Sequence, residues 1–137
     1  MKGWQAMAKT FQQMVSEAMG EVPTISPADA RKRIQKDPQT LVVDVRDAAD
    51  INATGIIPDA LNISLGTLTY KADNEVEESW REPALRDRNR PIITTCEIGP
   101  MGALGGKLLK DMGFANVSIL EGGTQAWKDA GFPTKQI

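Results

Sequence analysis

The stretch Pro91-Ile92-Ile93-Thr94-Thr95-Cys96-Glu97-Ile98-Gly99-Pro100-Met101-Gly102 decides how the chain is read. After Pro91, Ile92-Ile93-Thr94-Thr95 form a β-branched run bounded by turn formers, which predicts a buried strand. The run delivers Cys96 to a loop carrying Gly99 and Gly102, the backbone freedom a tight turn needs. Beyond the loop, Ala103, Leu104, Leu108, Leu109 and Met112 recur at helical spacing, and Gly113 closes the helix. A strand, a glycine-bearing turn and a helix in that order form the repeating unit of an open α/β sheet.

The same alternation extends in both directions. Toward the C-terminus, Val117-Ser118-Ile119-Leu120 predicts a strand, Gly122-Gly123 a turn, and Thr124 to Ala130 a last helix with Trp127 facing inward. Toward the N-terminus, Leu41-Val42-Val43-Asp44-Val45 predicts a second buried strand, residues 47–53 a short helix ending at Thr54-Gly55, and Ala60-Leu61-Asn62-Ile63 a further strand. Ser26 precedes Pro27 as N-cap and first helical position, predicting a helix to about Lys36 that stops before Pro38. Val22 to Ile25 reads as a short edge strand. Residues 66–90 are the least regular, with a short helix near Leu68 and Tyr70 and a surface excursion ending at Pro83-Ala84-Leu85-Arg86. Alternating strands and helices predict a parallel sheet covered on both faces. Trp4, Met7, Phe11, Met14, Val15 and Ala18 give residues 2–19 an amphipathic helical stripe, with Gly20 as its stop. The organisation expected is an N-terminal helix over 1–20 followed by one domain over 21–137. The Met-rich stripe offers a contact for a homodimer as well as for the domain itself.

Composition narrows the chemistry. The 137 residues carry a formal net charge of −2, 41% apolar and 25% charged residues, enough for one core and an ordinary polar surface. Basic runs at Arg31-Lys32-Arg33 and between Arg81 and Arg90 are interrupted by acids and read as solvated faces, so no nucleic-acid partner is expected. No apolar run approaches the roughly 20 residues of a membrane span, and no cleavage site follows an apolar stretch. Cytoplasmic placement is the expectation, since a lone thiol stays reduced there. One cysteine and no histidine argue against a disulfide framework and a zinc site, and no cofactor is expected. They also remove every Ser-His-Asp and Cys-His mechanism. Any nucleophile must be activated by backbone dipoles, by lysine or arginine, or by carboxylates.

Cys96 therefore carries the question of function. In open α/β sheets the crevice beyond the carboxyl ends of the strands binds ligands. A loop curling there aims successive N–H groups inward as an anion nest, and the following helix adds its positive end. A thiol so placed gains stabilisation of its thiolate. The same residue also reads as a small buried hydrophobe, and composition does not separate the two.

Taken together, the segments resemble a single-domain rhodanese-like sulfurtransferase, from about Ile25 to Pro133. The resemblance rests on Val42-Val43-Asp44-Val45-Arg46, Gly55-Ile56-Ile57-Pro58-Asp59-Ala60-Leu61-Asn62-Ile63 and Pro91 through Cys96. It continues through Leu108-Leu109-Lys110-Asp111-Met112-Gly113-Phe114, Val117 through Gly123, Trp127, and Gly131-Phe132-Pro133. Each marker is weak alone, and together in family order they are strong. The resemblance implies a three-layer α/β domain, its mostly parallel central sheet covered by helices on both faces. It implies that Cys96 takes sulfane sulfur from a small donor or a protein persulfide, holds it as a persulfide, and yields it to a thiol or to cyanide. Glu97, Ile98, Gly99, Met101 and Gly102 would supply backbone donors, with Asp44 and Arg46 bracing the sheet edge.

The loop departs from the family pattern C-x-x-G-x-R-S. Met101 stands where arginine grips an anionic donor, Gly102 where serine is common, and Pro100 lacks an N–H. The family's Gly-His-Ile-Pro-Gly-Ala reads Gly55-Ile56-Ile57-Pro58-Asp59-Ala60, and Ser64-Leu65-Gly66-Thr67-Leu68-Thr69 replaces a more charged stretch. These changes predict weak use of thiosulfate, unless Lys107 or an arginine of residues 81–90 supplies the missing cation. The competing reading is a catalytically impaired rhodanese-like binding or regulatory module. A cysteine phosphatase or arsenate reductase would need an arginine six residues after the cysteine, where Gly102 stands. A redox-sensing thiol would have no second cysteine to resolve it.

Overall fold

The computed structural model describes residues 8–136. Five parallel strands form one sheet in the order β1-β5-β4-β2-β3: β1 is Thr24–Ile25, β2 Leu41–Asp44, β3 Leu61–Asn62, β4 Ile92–Thr95 and β5 Val117–Leu120. The helices are α1 Phe11–Glu21, α2 Pro27–Lys36, α3 Ala48–Thr54, α4 Leu65–Lys71, α5 Pro100–Asp111 and α6 Gly123–Asp129. Two 3-10 turns, Glu78–Trp80 and Pro83–Leu85, lie in the irregular segment.

A strand covered on both faces cannot alternate, and β2, β4 and β5 are buried at every position. One core joins the sheet to α1, α4 and α5 through Ala18, Val43, Leu68, Ile92, Leu109 and Ile119. The opposite core joins Val42, Ile93 and Leu120 to Ala30 of α2 and Trp127 of α6. Each fully buried Ile or Leu contributes about 1.5–3 kcal/mol from apolar transfer. The three-layer α/β architecture follows directly.

Close packing of α5 depends on its glycines. A Cβ at Gly102 would lie 3.0 Å from Thr95 Cα, one at Gly105 2.9 Å from Val45 Cγ1, and one at Gly106 2.8 Å from Ile119 Cγ1. The Thr94 hydroxyl donates to the Gly102 carbonyl at 2.7 Å, fixing helix to strand. Gly102 thus serves close approach, and the loop's unusual backbone is confined to Gly99, at φ +125.

α2 begins as expected, with the Ser26 hydroxyl accepting from Asp29 N–H and Pro27 in the first turn. The N-terminal helix differs from the expected 2–19. It starts after Thr10, whose hydroxyl accepts from Gln13 N–H while the Gln13 side chain accepts from Thr10 N–H, a capping box. It then runs through Gly20 to Glu21, because Val22 N–H still reaches the Ala18 carbonyl at 2.9 Å. Trp4 and Met7 lie outside the described residues. α1 packs on α5, and Lys107 of α5 binds Asp111 at 2.8 Å while lying 3.5 and 3.8 Å from Glu21 and Glu17. Among the described residues no helix is long and apolar enough to cross a membrane.

Candidate functional site

β2 and β4 lie side by side at the sheet centre, Asp44 beside Thr95, so the residues leaving both strands emerge together. Val45 N–H extends the pairing to the Thr95 carbonyl. Arg46 and Cys96 therefore share one crevice. It is a cavity of about 620 Å³ lined by Phe11, Ala49, Ala53, Ile98, Pro100 and Met101, together with Arg46, Asp50, Thr54, Glu97 and Cys96. Cys96 sits at its floor, only 3% exposed.

The loop is tied down from behind. The carbonyls of Cys96 and Glu97 accept from Thr124 N–H at 2.8 Å and Gln125 N–H at 2.9 Å, in the first turn of α6. Gly99 N–H donates to Cys96 Sγ at 3.1 Å. Among the described residues, no carbonyl or side chain accepts from the N–H groups of Glu97, Ile98, Met101 or Gly102. The five residues expected to donate are thus gathered in one turn, although only Gly99 makes contact with the sulfur. Pro100 occupies the first position of α5, where a missing N–H costs the helix nothing.

The sequence marks Gly122-Gly123 only as a turn, yet the Cys96 loop depends on Gly123. It has φ +67, and a Cβ there would lie 2.7 Å from the Glu97 carbonyl oxygen. Two glycines after β5 are the signal, because the β5–α6 turn abuts the parallel β4–α5 turn.

Asp44 and Arg46 form a buried ion pair at the sheet edge, and Arg46 also lines the cavity. Asp44 is fully buried and accepts from Arg46 Nε at 3.0 Å and Nη2 at 2.6 Å. Arg46 Nη1 donates to Thr54 Oγ1 at 2.6 Å and Glu97 Oε2 at 2.8 Å, and Nη2 donates to the Gly55 carbonyl. All five guanidinium N–H groups are engaged. Burial opposes the arginine's charge. Hydrogen bonds and charge from Asp44, then Glu97, outweigh it and hold the guanidinium above its ordinary pKa.

The expected substitute cations are elsewhere. Lys107 is held by Asp111 and then by Glu21 of α1, which together raise its pKa, and it lies 3.8 Å from Glu17. Arg81 donates to the Val76 carbonyl, Arg88 stacks on Phe114 and Arg90 donates to the Gln39 and Ala84 carbonyls. None of residues 66–90 lines the cavity, so the long excursion is no lid over Cys96. Arg46 is the one lining cation among the described residues, against Asp50 and Glu97. Asp59, where the related pattern has glycine, keeps the left-handed backbone at φ 66 that aspartate tolerates.

Comparison with known proteins agrees with this architecture. The family described as the rhodanese-like domain matches residues 26–130. The chain is 28% identical over 108 residues to "Putative sulfurtransferase YtwF" of Bacillus subtilis, covering 79% of this chain and 92% of that protein. It is 31% identical over 98 residues to a rhodanese domain-containing protein of Drosophila melanogaster, covering 70% and 88%. A solved structure from Rhodopseudomonas palustris, of unknown function and described as a "Possible Tyrosine Phosphatase", superposes with TM-score 0.85 at 29% identity over 93% of this chain and 96% of that one. The polysulfide-sulfur transferase homodimer of Wolinella succinogenes superposes with TM-score 0.73 at 27% identity, covering 98% and 91%.

Proposed function

Since this chain belongs to the rhodanese-like domain family, we propose that it is a sulfurtransferase or sulfur carrier that forms a persulfide on Cys96. The observation that carries the reading is the turn around the thiol. Its carbonyls are bound to α6, its Gly99 N–H meets Sγ, and four further N–H groups have no acceptor among the described residues. Amides so arranged favour a thiolate and then a persulfide anion, at no cost in reorganisation.

The thiolate attacks the outer sulfur of a donor. A sulfur–sulfur bond forms on Cys96 as the donor's own breaks, and the leaving group departs with the electron pair. An acceptor thiolate or cyanide then attacks the outer sulfur and regenerates the Cys96 thiolate. Thiosulfate is a poor donor here. Met101 supplies none of arginine's paired donors, a loss of about 1.5–3 kcal/mol in a charge-assisted contact. Protein persulfides and less charged polysulfides suit the apolar mouth better. Phe11, Met14 and Met19 are exposed apolar side chains on α1, with Met14 and Met19 on either side of the buried Ala18, and they support a homodimer through this helix. Sedimentation velocity giving only monomer at tens of micromolar would remove that element.

Steady-state thiocyanate production from cyanide and a polysulfide tests the main reading. Turnover is expected in the wild type and absent in Cys96→Ser; equal rates in both would refute it. The burial of Cys96 and the saturation of Arg46 favour one second reading, a catalytically impaired binding module. Partner binding without any turnover would establish it. A phosphatase needs a strong anion clamp, and the sole lining cation among the described residues is already paired with carboxylates.

A further inference from the structure

Glu97 is the residue whose position the proposed chemistry leaves unexplained. It follows the nucleophile directly, lines the same cavity, and puts a carboxylate rather than substrate against Arg46. Of the acceptors around that guanidinium, Asp44 is fully buried, and Thr54 and Gly55 are fixed at the C-terminal end of α3. Glu97 alone presents a partly exposed, flexible charged group, with 38% of its side chain open to solvent. An anionic donor that sought Arg46 would have to displace it, and would meet a like charge beside the thiol.

We propose, resting on the sulfur-transfer reading, that Glu97 is a specificity-determining residue: it occupies Arg46 as a built-in anion and turns oxyanion donors away in favour of alkyl persulfides. The mouth agrees with that choice. Phe11, Ile98 and Met101 are exposed large apolar side chains, and Ala49, Ala53 and Pro100 complete an apolar wall with no free cation among the described residues. An alkyl persulfide places its carbon body on this wall. The Cys96 thiolate takes the outer sulfur of R–S–SH, giving Cys96–S–SH and R–S⁻. The corresponding reaction of thiosulfate gives the Cys96 persulfide anion and sulfite.

The test is the rate at which intact mass rises by one sulfur, with thiosulfate and with an alkyl persulfide, in full-length wild type, Glu97→Gln, Glu97→Ala and Asp50→Asn. Glu97→Gln removes the charge but leaves an acceptor for Arg46; Glu97→Ala frees the N–H as well. Removing one like charge near a dianion at a partly solvated site is worth about tenfold. The thiosulfate-to-persulfide rate ratio is therefore expected to rise about tenfold in Glu97→Gln and further in Glu97→Ala. Asp50→Asn, which alters charge without touching Arg46, is expected to raise it less.

A ratio unchanged in both Glu97 variants, or matched by Asp50→Asn, overturns the assignment while leaving sulfur transfer intact. Loss of alkyl persulfide loading in both variants also overturns it, because Glu97 would then be holding the cradle. A wild type that loads sulfur from neither donor sinks the underlying reading together with the inference.

Discussion

Replacing Gly123 by alanine isolates the contact that turns the loop carbonyls away from Cys96. Two costs are separable. Alanine at φ +67 pays about 1–2 kcal/mol for the left-handed backbone, offset by about 0.4–1 kcal/mol because the unfolded chain becomes less free. The new Cβ would also lie 2.7 Å from the Glu97 oxygen, 2.8 Å from the Glu97 carbon and 2.9 Å from the Cys96 oxygen. These are backbone atoms that accept from α6, so they cannot swing aside as a side-chain tip would. Overpacking of this kind costs about 1–3 kcal/mol. Gly131 supplies the control, with φ +85 and nothing within 4 Å of its Cβ position. Urea unfolding should therefore show Gly123→Ala less stable than Gly131→Ala by about 1–3 kcal/mol. Sulfur loading of Cys96 should slow only in Gly123→Ala. A stability difference below about 0.5 kcal/mol would show that the β5–α6 turn does not constrain the loop, and the argument for the cradle would fail with it.

Other perturbations follow from the same geometry. Gly102→Ser restores the residue common in related loops, but its Cβ meets Thr95 Cα at 3.0 Å, so thermal unfolding should show a loss of about 1–3 kcal/mol. Met101→Arg puts a forked cation at the cavity mouth and should raise kcat/KM for thiosulfate by about one to two decades; an unchanged value would mean that the methionine is not the limiting loss. Arg46→Met leaves the buried Asp44 carboxylate without its ion pair and should cost about 3–5 kcal/mol, read by denaturant titration. Glu17 has its pKa lowered by a hydrogen bond from Lys9 and, to a lesser degree, by the charge of Lys107 on α5, so what it adds to the stability of α1 is present above the ordinary carboxylate range and is lost as pH falls below it. Hydrogen-exchange protection of residues 11–21, referenced to the intrinsic exchange rate at each pH, should fall on acidification, and unchanged protection would contradict this.

The architecture was legible because buried parallel strands leave a continuous apolar signature. Val42-Val43 and Ile92-Ile93 face both cores, and no helix of that length would be flanked so closely by turn residues. Ser26 and Pro27 fixed one helix start through local chemistry alone. The N-terminal helix was harder, because its start depends on a reciprocal pair, Thr10 and Gln13, and glycine at position 20 was outweighed by packing of Ala18 and Val22 on α5. At the site, Cys96 and its loop were evident from position in the chain. The partner relationships were not. Arg46 and Glu97 are 51 residues apart and meet only because β2 lies beside β4. Gly123 meets Glu97 only because two βα turns stand side by side. Such contacts are set by strand order, which periodicity does not encode.

The central claim is that main-chain amides make a nearly buried Cys96 thiolate able to carry sulfur. Incubation with a polysulfide followed by peptide mapping tests it most directly. The peptide bearing Cys96 should gain the mass of one sulfur, lose it on addition of cyanide, and gain nothing in Cys96→Ala. An unmodified peptide after full exposure to the donor, from protein that is otherwise folded, would contradict the account.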